Sequence, residues 1–465
     1  MKLNPQIFRE YDIRGIAGTD LTEEIYERLG QAIVAYTRGK RKNNCFVVAH
    51  DGRLTSRSYA HAVMDGITGA GVNVIDIGQA PTPLCYFGLF TLPVDGGVMI
   101  TASHNPKEYN GMKVAVGTST IHGEEIQKLY RVALGDAFPK ARKPVTVTRM
   151  DLLPKYLARV ARGIHVKRRL KVVVDAGNGA SGPVGVPLYE QLGCEVIPLY
   201  CDVDGRFPNH HPDPTVPKNL TKLIATVKRT GADCGIGFDG DGDRIGVVNE
   251  KGEVIFGDKL LILFARHILK AEPGATIISE VKGSRTLYAD IEAHGGKAIM
   301  WRTGHSLIKA AMKKFNAQLA GEMSGHMFFK HRWYGFDDGS YAGCRLLEIL
   351  SRSPDANAVL NALPNSFSTP ELNVKCAEGE SPALIEQAIA MAGTTFAAPA
   401  VISTIDGLRI DWPDGFGLIR GSNTTPVLVL RFEGQNETAL HRIQDAMLAL
   451  LTRVKPDAKI ETAAH

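Results

Sequence analysis

The chain has 465 residues, 44% of them hydrophobic and 22% charged, with a formal net charge of +5. That length is too great for one core and predicts roughly three or four domains, in a composition typical of soluble globular proteins. The mild positive balance, without a Lys/Arg run or a basic helix, suits an anionic small molecule and speaks against nucleic acid. Seven scattered cysteines (45, 85, 194, 201, 234, 344, 376) without CxxC spacing exclude a disulfide frame and a zinc site. The opening MKLNPQIFRE has no apolar stretch of the signal-peptide kind. The most apolar helix-like run, LLILF at 260–264, meets Arg266 and His267 far short of a membrane span. The expected location is the cytoplasm.

In chain order, CFVVAHDGR from Cys45 reads as an apolar strand, a polar loop and then a helix-like stretch. GGVMITASHNPKEYNG at 96–111 is a second strand that runs straight into Thr101-Ala102-Ser103-His104-Asn105-Pro106. LKVVVDAGNGASG from Leu170 repeats the first plan, and CGIGFDGDGDR from Cys234 the second. ATIISEVKGSR from Ala275 and AQLAGEMSGH from Ala317 form a third such couple. Short apolar strands alternating with longer amphipathic segments predict βαβ units and mostly parallel sheets, with ligand loops at the carboxyl ends of strands. The last hundred residues differ. TPELNVKCAEG, AVISTIDGLRIDW and TPVLVLRFEG look extended, SPALIEQAIAMA looks helical, and NETALHRIQDAMLALLTRV has helical apolar spacing. The expected fold is α/β: three similar mixed-sheet domains in series (1–147, 148–253, 254–365), then a smaller α+β domain (366–465). ALPNSFSTP at 362–370 reads as a linker, and KPDAKIETAAH as a loose polar tail.

Three loops carry chemistry by residue type. In FDGDGDR, Asp239, Asp241 and Asp243 alternate with glycines, and in an extended segment residues two apart point the same way. Three carboxylates aimed at one point repel unless a cation sits among them, and Mg²⁺ fits an oxygen-only set. A calcium EF-hand would also want the glutamate that stands twelfth, Glu250. Its sixth position, however, holds Arg244 rather than glycine, and strands rather than helices flank the loop. In GEMSGHMFF, Glu322, Ser324 and His326 again stand two apart, with groups suited to sugar hydroxyls or acid–base chemistry. RGSNTTP offers Arg420, Ser422, Asn423, Thr424 and Thr425 around Gly421, an inventory for a bound phosphate. No GxxxxGK[ST] occurs, which removes a Walker-type phosphotransferase. Taken singly, these loops would also be accounted for by a solvated acidic turn, a structural histidine and an ordinary polar turn.

Together TASHNP, DGDGDR, GEMSGH and RGSNTTP, in that order and in four successive regions, resemble the α-D-phosphohexomutases, and REYDIRG at 9–15 fits the same family. YDIRG with GEMSGH is similar to the bacterial phosphomannomutase/phosphoglucomutase branch, whereas the GTDGIRG-like opening of phosphoglucosamine mutases is absent. The resemblance implies four domains around a central cleft and a phosphoserine at Ser103. It implies Asp239, Asp241, Asp243 and Ser103 as Mg²⁺ ligands, Arg244 on the transferring phosphoryl group and Lys113 beside the nucleophile. His326 and Arg14 are its candidates for the general base. His326 suits that task better, since arginine stays protonated. Arg420, Ser422, Asn423, Thr424 and Thr425 would take the nonreacting phosphate, Glu322 and Ser324 the sugar O3 and O4, and Tyr11, Lys282 and His305 would line the site.

The implied activity is reversible phosphoryl transfer between C1 and C6 of mannose and glucose phosphates. It runs through a hexose 1,6-bisphosphate, with glucose 1,6-bisphosphate or mannose 1,6-bisphosphate as activator. The alternatives are a Mg²⁺-dependent sugar phosphatase, marked by release of free phosphate, a phosphoglucosamine mutase, and a sugar-phosphate sensor that would not need Ser103 and all three aspartates. Expected partners are hexose phosphates alone, with no nucleic acid or membrane, and the expected state is a monomer. The C-terminal domain is expected to close on a hinge near 362–370 and exclude water.

Overall fold

The computed structural model of the protein describes residues 3–423 and 425–462. They fall into two units, one built from residues up to Leu260 together with Ser324–Ala362, the other from Leu261–Met323 together with residues from Leu363 onward.

The first unit holds two mixed sheets. In the first, the strand order is Ile13–Ile16, Tyr109–Val116, Gly96–Ile100, Cys45–His50, Asn73–Gln79, Val147–Arg149, and the short Ser119–Thr120 pairs with Tyr109–Val116. The strands from Gly96–Ile100 to Val147–Arg149 run parallel. Tyr109–Val116 returns antiparallel to Gly96–Ile100, and Ile13–Ile16 antiparallel to that. The second sheet repeats this plan. Cys234–Phe238, Lys171–Asp175 and Glu195–Leu199 are parallel, and Ile245–Val248 returns antiparallel on Cys234–Phe238. The sheets are thus less parallel than the βαβ rhythm predicts, and the departure matters. TASHNP and DGDGDR are each the tip of an antiparallel hairpin, so both ends of each loop are fixed by ladder hydrogen bonds.

The helices form for local reasons. Glu23–Tyr36 is capped by Thr22, whose Oγ1 accepts from Ile25 N–H, and carries Glu23 and Glu24 in its first turn, where carboxylates favour the helix dipole. Its buried Ile25, Leu29 and Ile33 lie four apart, one stripe against the core. It packs unusually closely on Ser56–Gly69: a Cβ on Gly30 would stand 2.4 Å from Val63 O, and one on Gly66 2.0 Å from Glu27 O.

The second unit contains a parallel set, Lys297–Trp301, Thr276–Glu280 and Leu319–Gly321, and an antiparallel sheet in the order Val401–Ser403, Leu408–Trp412, Gly415–Gly421, Val427–Gly434, Leu372–Lys375, Ile460–Thr462. Helices Ser381–Thr395 and Glu437–Val454 cover the antiparallel sheet. They bury Leu384, Ala388, Ile443, Met447 and Leu450 against Leu408, Ile410, Ile419, Leu430 and Phe432. The closing segment is not a loose tail as far as it is described. Ile460–Thr462 forms an edge strand antiparallel to Leu372–Val374, and Lys375 Nζ meets Glu461 Oε1 at 3.0 Å. The backbone groups of Leu372–Lys375 were the unsatisfied edge, and a β-prone Ile-Glu-Thr run answers them. Among the described residues no helix is long and apolar enough to cross a membrane.

Candidate active site

In the first unit the hairpin tips meet. Ser103, three residues beyond the end of strand Gly96–Ile100, sits in the left-handed region, φ 51°, which carries a steric cost for any residue with a Cβ. Its N–H donates to Thr101 Oγ1 (2.8 Å) and its hydroxyl to Asp239 Oδ2 (2.8 Å), while His104 Nδ1 lies 3.1 Å from Oγ. Ser103 is 2% exposed, and Asp239, Asp241 and Asp243 are fully buried. One carboxylate oxygen from each aspartate lies within 4.8 Å of the other two. The convergence does not come from strand alternation, as an extended reading predicts. The loop curls: Gly242 takes φ 75° and donates its N–H to Asp239 Oδ1 (3.0 Å), and Arg244 N–H reaches the same oxygen (3.2 Å). Glycine is required at 242 by that backbone angle and by space, since a Cβ there would fall 1.8 Å from Ser181 Oγ.

Lys113, on strand Tyr109–Val116, answers the charge. Its Nζ donates to Asp241 Oδ2 (2.7 Å) and Asp243 Oδ2 (2.5 Å). Burial would lower this ammonium, but Asp241 and Asp243 outweigh it and hold it well above its usual range. Burial, and then the charges of Asp241 and Asp243, push the Asp239 carboxyl well up. Burial and Asp241 likewise raise Asp243. Asp241 is the exception: burial is overcome by Lys113 and by Thr82, and its carboxyl stays ionised below the usual range. Thr82 Oγ1 donates to Asp241 Oδ2 (2.6 Å) and its N–H to Asp241 O (2.8 Å). With Oδ2 so occupied, Asp241 Oδ1 is buried without a hydrogen-bond partner, as is Asp243 Oδ1. Orphaned buried carboxylate oxygens and an excess of negative charge fit a divalent cation with hard oxygen ligands.

His326 is held between Arg244 on one side and two carboxylates on the other. Its Nε2 accepts from Arg244 Nε (3.0 Å), and its Nδ1 lies 3.1 Å from Asp337 Oδ2 and 3.5 Å from Asp243 Oδ1. A backbone bridge between Arg244 and His326 fixes the two loops to each other. Arg14 is pinned by Asp12 (2.5 Å) and Asn105 Oδ1 (2.7 Å), beside the Ser103 loop. Tyr11 lies half-buried in the bend before Ile13–Ile16, and Ser324, half-buried, opens the segment by which the chain re-enters this unit.

The second unit gathers the remaining expected residues. Glu322 Oε1 accepts from Gly304 N–H (2.7 Å) at the start of helix His305–Phe315, whose first residue His305 is buried. Arg420 Nε donates to Asp406 Oδ2 (3.0 Å), which also takes Thr303 N–H (3.0 Å), and Asn423 Nδ2 reaches Thr303 O (3.4 Å). Ser422 Oγ accepts from Thr425 N–H (3.3 Å) and Oγ1 (3.1 Å), so this loop folds on itself. Thr424 lies outside the described residues. Lys282 pairs with Glu371 (3.0 Å). Burial lowers its ammonium, but Glu371 and Glu280 more than offset this and raise it. Glu280, itself raised by burial, takes Lys282 N–H, Thr303 Oγ1 and Met323 N–H.

Sequence reasoning missed Asp337, Thr82, Glu280 and Asp406, each of which holds an expected residue in place. The pair Asp337-Asp338 inside GFDDGSY was the one visible signal, an acidic couple in an otherwise apolar stretch.

A buried serine on a cluster of aspartates, beneath two mixed α/β sheets, defines a class: phosphoryl-transfer proteins of serially repeated α/β domains. The descriptions "Phosphoglucomutase/phosphomannomutase, alpha/beta/alpha domain I", "domain II" and "domain III" match residues 5–139, 154–252 and 256–367, and the C-terminal domain of the same set matches 371–450. The chain belongs to the phosphoglucomutase/phosphomannomutase family, within the α-D-phosphohexomutase superfamily. It is 48% identical over 444 residues to the phosphomannomutase/phosphoglucomutase of Pseudomonas aeruginosa, covering 95% of this chain and 94% of that one. It is 48% identical over 445 residues to the phosphoglucomutase of Neisseria meningitidis, covering 96% of each. A crystal structure of a phosphoglucomutase/phosphomannomutase family protein from Burkholderia thailandensis superposes with a TM-score of 0.93 at 45% identity, over 99% of this chain and all of that one.

Proposed function

We propose that the protein is a phosphomannomutase/phosphoglucomutase, an isomerase that moves a phosphoryl group between C1 and C6 of glucose and mannose phosphates. The observation that carries this reading is the hydroxyl of Ser103, buried and hydrogen-bonded to one of three converging aspartates beside the ammonium of Lys113. The names of relatives 48% identical over nearly the whole chain support it.

In this reading Ser103 carries the phosphoryl group. Asp239, Asp241 and Asp243, with Ser103, would hold Mg²⁺, which neutralises charge on the transferring group when bound. Lys113 orients Asp241 and Asp243 and offsets part of their charge. His326 faces Asp337 through Nδ1, so its basic nitrogen is Nε2, the atom that takes a proton from the attacking sugar hydroxyl. Arg244 releases Nε2 when its guanidinium turns to the phosphoryl oxygens. Arg14 acts electrostatically near the Ser103 loop. Glu322 and Ser324 read the sugar O3 and O4. Arg420, Ser422, Asn423, Thr424 and Thr425 take the phosphate that does not react, while Lys282, His305 and Tyr11 line the site. The bisphosphate formed by the first transfer turns end for end and gives its other phosphoryl group back to Ser103. Glucose 1,6-bisphosphate is therefore the activator, since it gives one phosphoryl group to a Ser103 hydroxyl that has lost its own and departs as a glucose monophosphate. The enzyme works as a cytoplasmic monomer.

The test is conversion of glucose 1-phosphate to glucose 6-phosphate with the activator present, alongside the intact mass before and after incubation with glucose 1,6-bisphosphate. Isomer formation with a phosphoryl gain at Ser103 is expected. Stoichiometric free phosphate without isomer would assign a phosphatase instead.

A further inference from the structure

Arg53, the last residue of CFVVAHDGR, belongs to none of the loops given a chemical role above, yet its guanidinium gathers the whole Ser103 loop. Nη2 donates to Ser103 O (2.8 Å) and Asn105 O (2.6 Å), and Nη1 donates to Pro106 O (2.8 Å) and Tyr109 O (3.0 Å). Four carbonyl oxygens converging on one point would repel one another, and a cation with a planar fork of donors is what can hold them together. Arg53 is 3% exposed. It is fixed in turn by Asp51, whose Oδ2 lies 3.3 Å from Nε and whose Oδ1 accepts from Arg53 N–H (3.0 Å) and Ser56 Oγ (2.5 Å). Its guanidinium carbon lies 5.4 Å from the centre of the Phe207 ring, on the loop after Glu195–Leu199 of the second sheet. That loop is close-packed against it as well, since a Cβ on Gly205 would stand 2.8 Å from Arg53 Cα.

We propose that Arg53 is a positioning residue for phosphoryl transfer: it holds the backbone of residues 103–109 in the shape that aims the Ser103 hydroxyl at Asp239. The inference rests on the reading of Ser103 as the phosphoryl carrier. Three observations join in it. Ser103 has a left-handed backbone that no glycine relieves, and that conformation persists only where its surroundings over-determine it. The carbonyl of Ser103 itself is one of the four that Arg53 ties down. And Arg53 spans the two sheets that supply the serine and the aspartates, so it fixes the position of one hairpin tip against the other. The Arg53 guanidinium meets this loop at carbonyl oxygens, so its action runs through the backbone. A lysine at 53 keeps the charge but cannot reach four carbonyls from two directions.

The experiment compares wild type, Arg53→Lys and Arg53→Ala for kcat, KM, phosphoryl uptake at Ser103 and thermal unfolding, with and without free guanidinium. A displacement of about 1 Å at a reacting atom costs on the order of 10² in rate. Expected are a fall of that order in kcat in both variants, KM for glucose 1-phosphate within about threefold of wild type, and slower phosphoryl uptake from glucose 1,6-bisphosphate. Low concentrations of guanidinium should raise kcat of Arg53→Ala at least about tenfold, and leave wild type unaffected. A merely structural role would lower kcat only in step with the folded fraction and would show no response to guanidinium. That outcome overturns the proposal, as does a folded Arg53→Lys with near-normal kcat. If Arg53→Ala does not fold, Arg53→Lys decides alone by its kcat and KM. Failure of the underlying reading looks different, because wild type itself would then take no phosphoryl group at Ser103.

Discussion

Replacing Lys113 by methionine keeps the length of the side chain and removes its charge. The ammonium is 4% exposed and bonded to two carboxylates that are wholly buried, so the variant leaves both anions without their counter-charge. Removing one partner of a buried ion pair costs about 3–5 kcal/mol, mostly from the uncompensated charge left behind. For a unit of this size about 2 °C accompanies each kcal/mol, so the first unfolding transition of the metal-free variant should fall by roughly 6–10 °C. The same excess of negative charge makes the cluster bind a divalent cation more tightly. Saturation at about 100 times Kd contributes about 2.7 kcal/mol, so Mg²⁺ should raise the variant's transition further than that of wild type. Differential scanning calorimetry in chelator and then in graded Mg²⁺ measures both quantities. A metal-free variant within about 2 °C of wild type, or an equal Mg²⁺ response in the two proteins, would refute the claim that Lys113 shares the counter-charge of this cluster with a cation.

Ser103→Ala should fold normally and lose sustained turnover, checked by mutase assay on protein free of wild-type enzyme. Near-normal activity would end the phosphoserine reading. Asp241→Asn should raise the Mg²⁺ concentration needed for half-maximal activity and destabilise the metal-free protein, because it takes from Lys113 the carboxylate that folding holds ionised, as titration and thermal unfolding would show. On the proposed assignment of Glu322 and Ser324 to O3 and O4, which leaves C2 unread, glucose 1-phosphate and mannose 1-phosphate should both be substrates, with kcat/KM values within roughly 10²-fold. A preference beyond about 10⁴ would mean that a side chain reads C2 directly. Burial pushes the Asp338 carboxyl from 3.8 up to about 7. A carboxyl raised on folding favours the folded state below its unfolded pKa, and that stability is lost as pH climbs from about 4 through about 7. Asp338→Asn should flatten the decline of the first unit's stability over this window, and an unchanged slope in denaturant titrations at pH 4.5 to 7.5 would count against it.

Much of the site was legible because its residues cluster within short loops. The aspartates lie inside five consecutive residues, so residue type and spacing point to a bound cation, whereas the phosphoryl role of Ser103 inside TASHNP comes from the resemblance of the four loops together to a known family. What holds them in place was not legible. Thr82 reaches Asp241 across 159 positions and Lys113 reaches Asp243 across 130, and no local pattern encodes such pairings. The carboxylates do converge, but by a curled turn at Gly242 rather than by strand alternation, because the loop's own N–H groups bind Asp239 and pull the chain around it. The mixed sheets of the α/β domains were expected, but the alternation of apolar strands with helices points to mostly parallel pairing and does not reveal where an antiparallel return follows a rich loop. The edge strand Ile460–Thr462 escaped for a related reason: three residues in a polar context gain their order from a partner ninety positions away.

The first unit is not contiguous in the chain. It stops at Leu260, and its last piece, Ser324–Ala362, arrives only after Leu261–Met323 has been made. That piece brings His326 to Arg244 and Asp337 to His326, and its helix Gly339–Leu350 packs on Gly182–Gln191 and on strand Ile245–Val248. At a synthesis rate of about 5–20 residues per second, the nascent chain waits roughly 5–20 s with the aspartate loop built and its cover incomplete. During that interval Ile236 and Tyr189, which Gly343 later approaches closely, lack that cover. A fragment ending at Leu260 is therefore an unfinished domain and a poor stand-alone scaffold. A cell making this protein gains from a chaperone that shields that face until residue 362 has emerged.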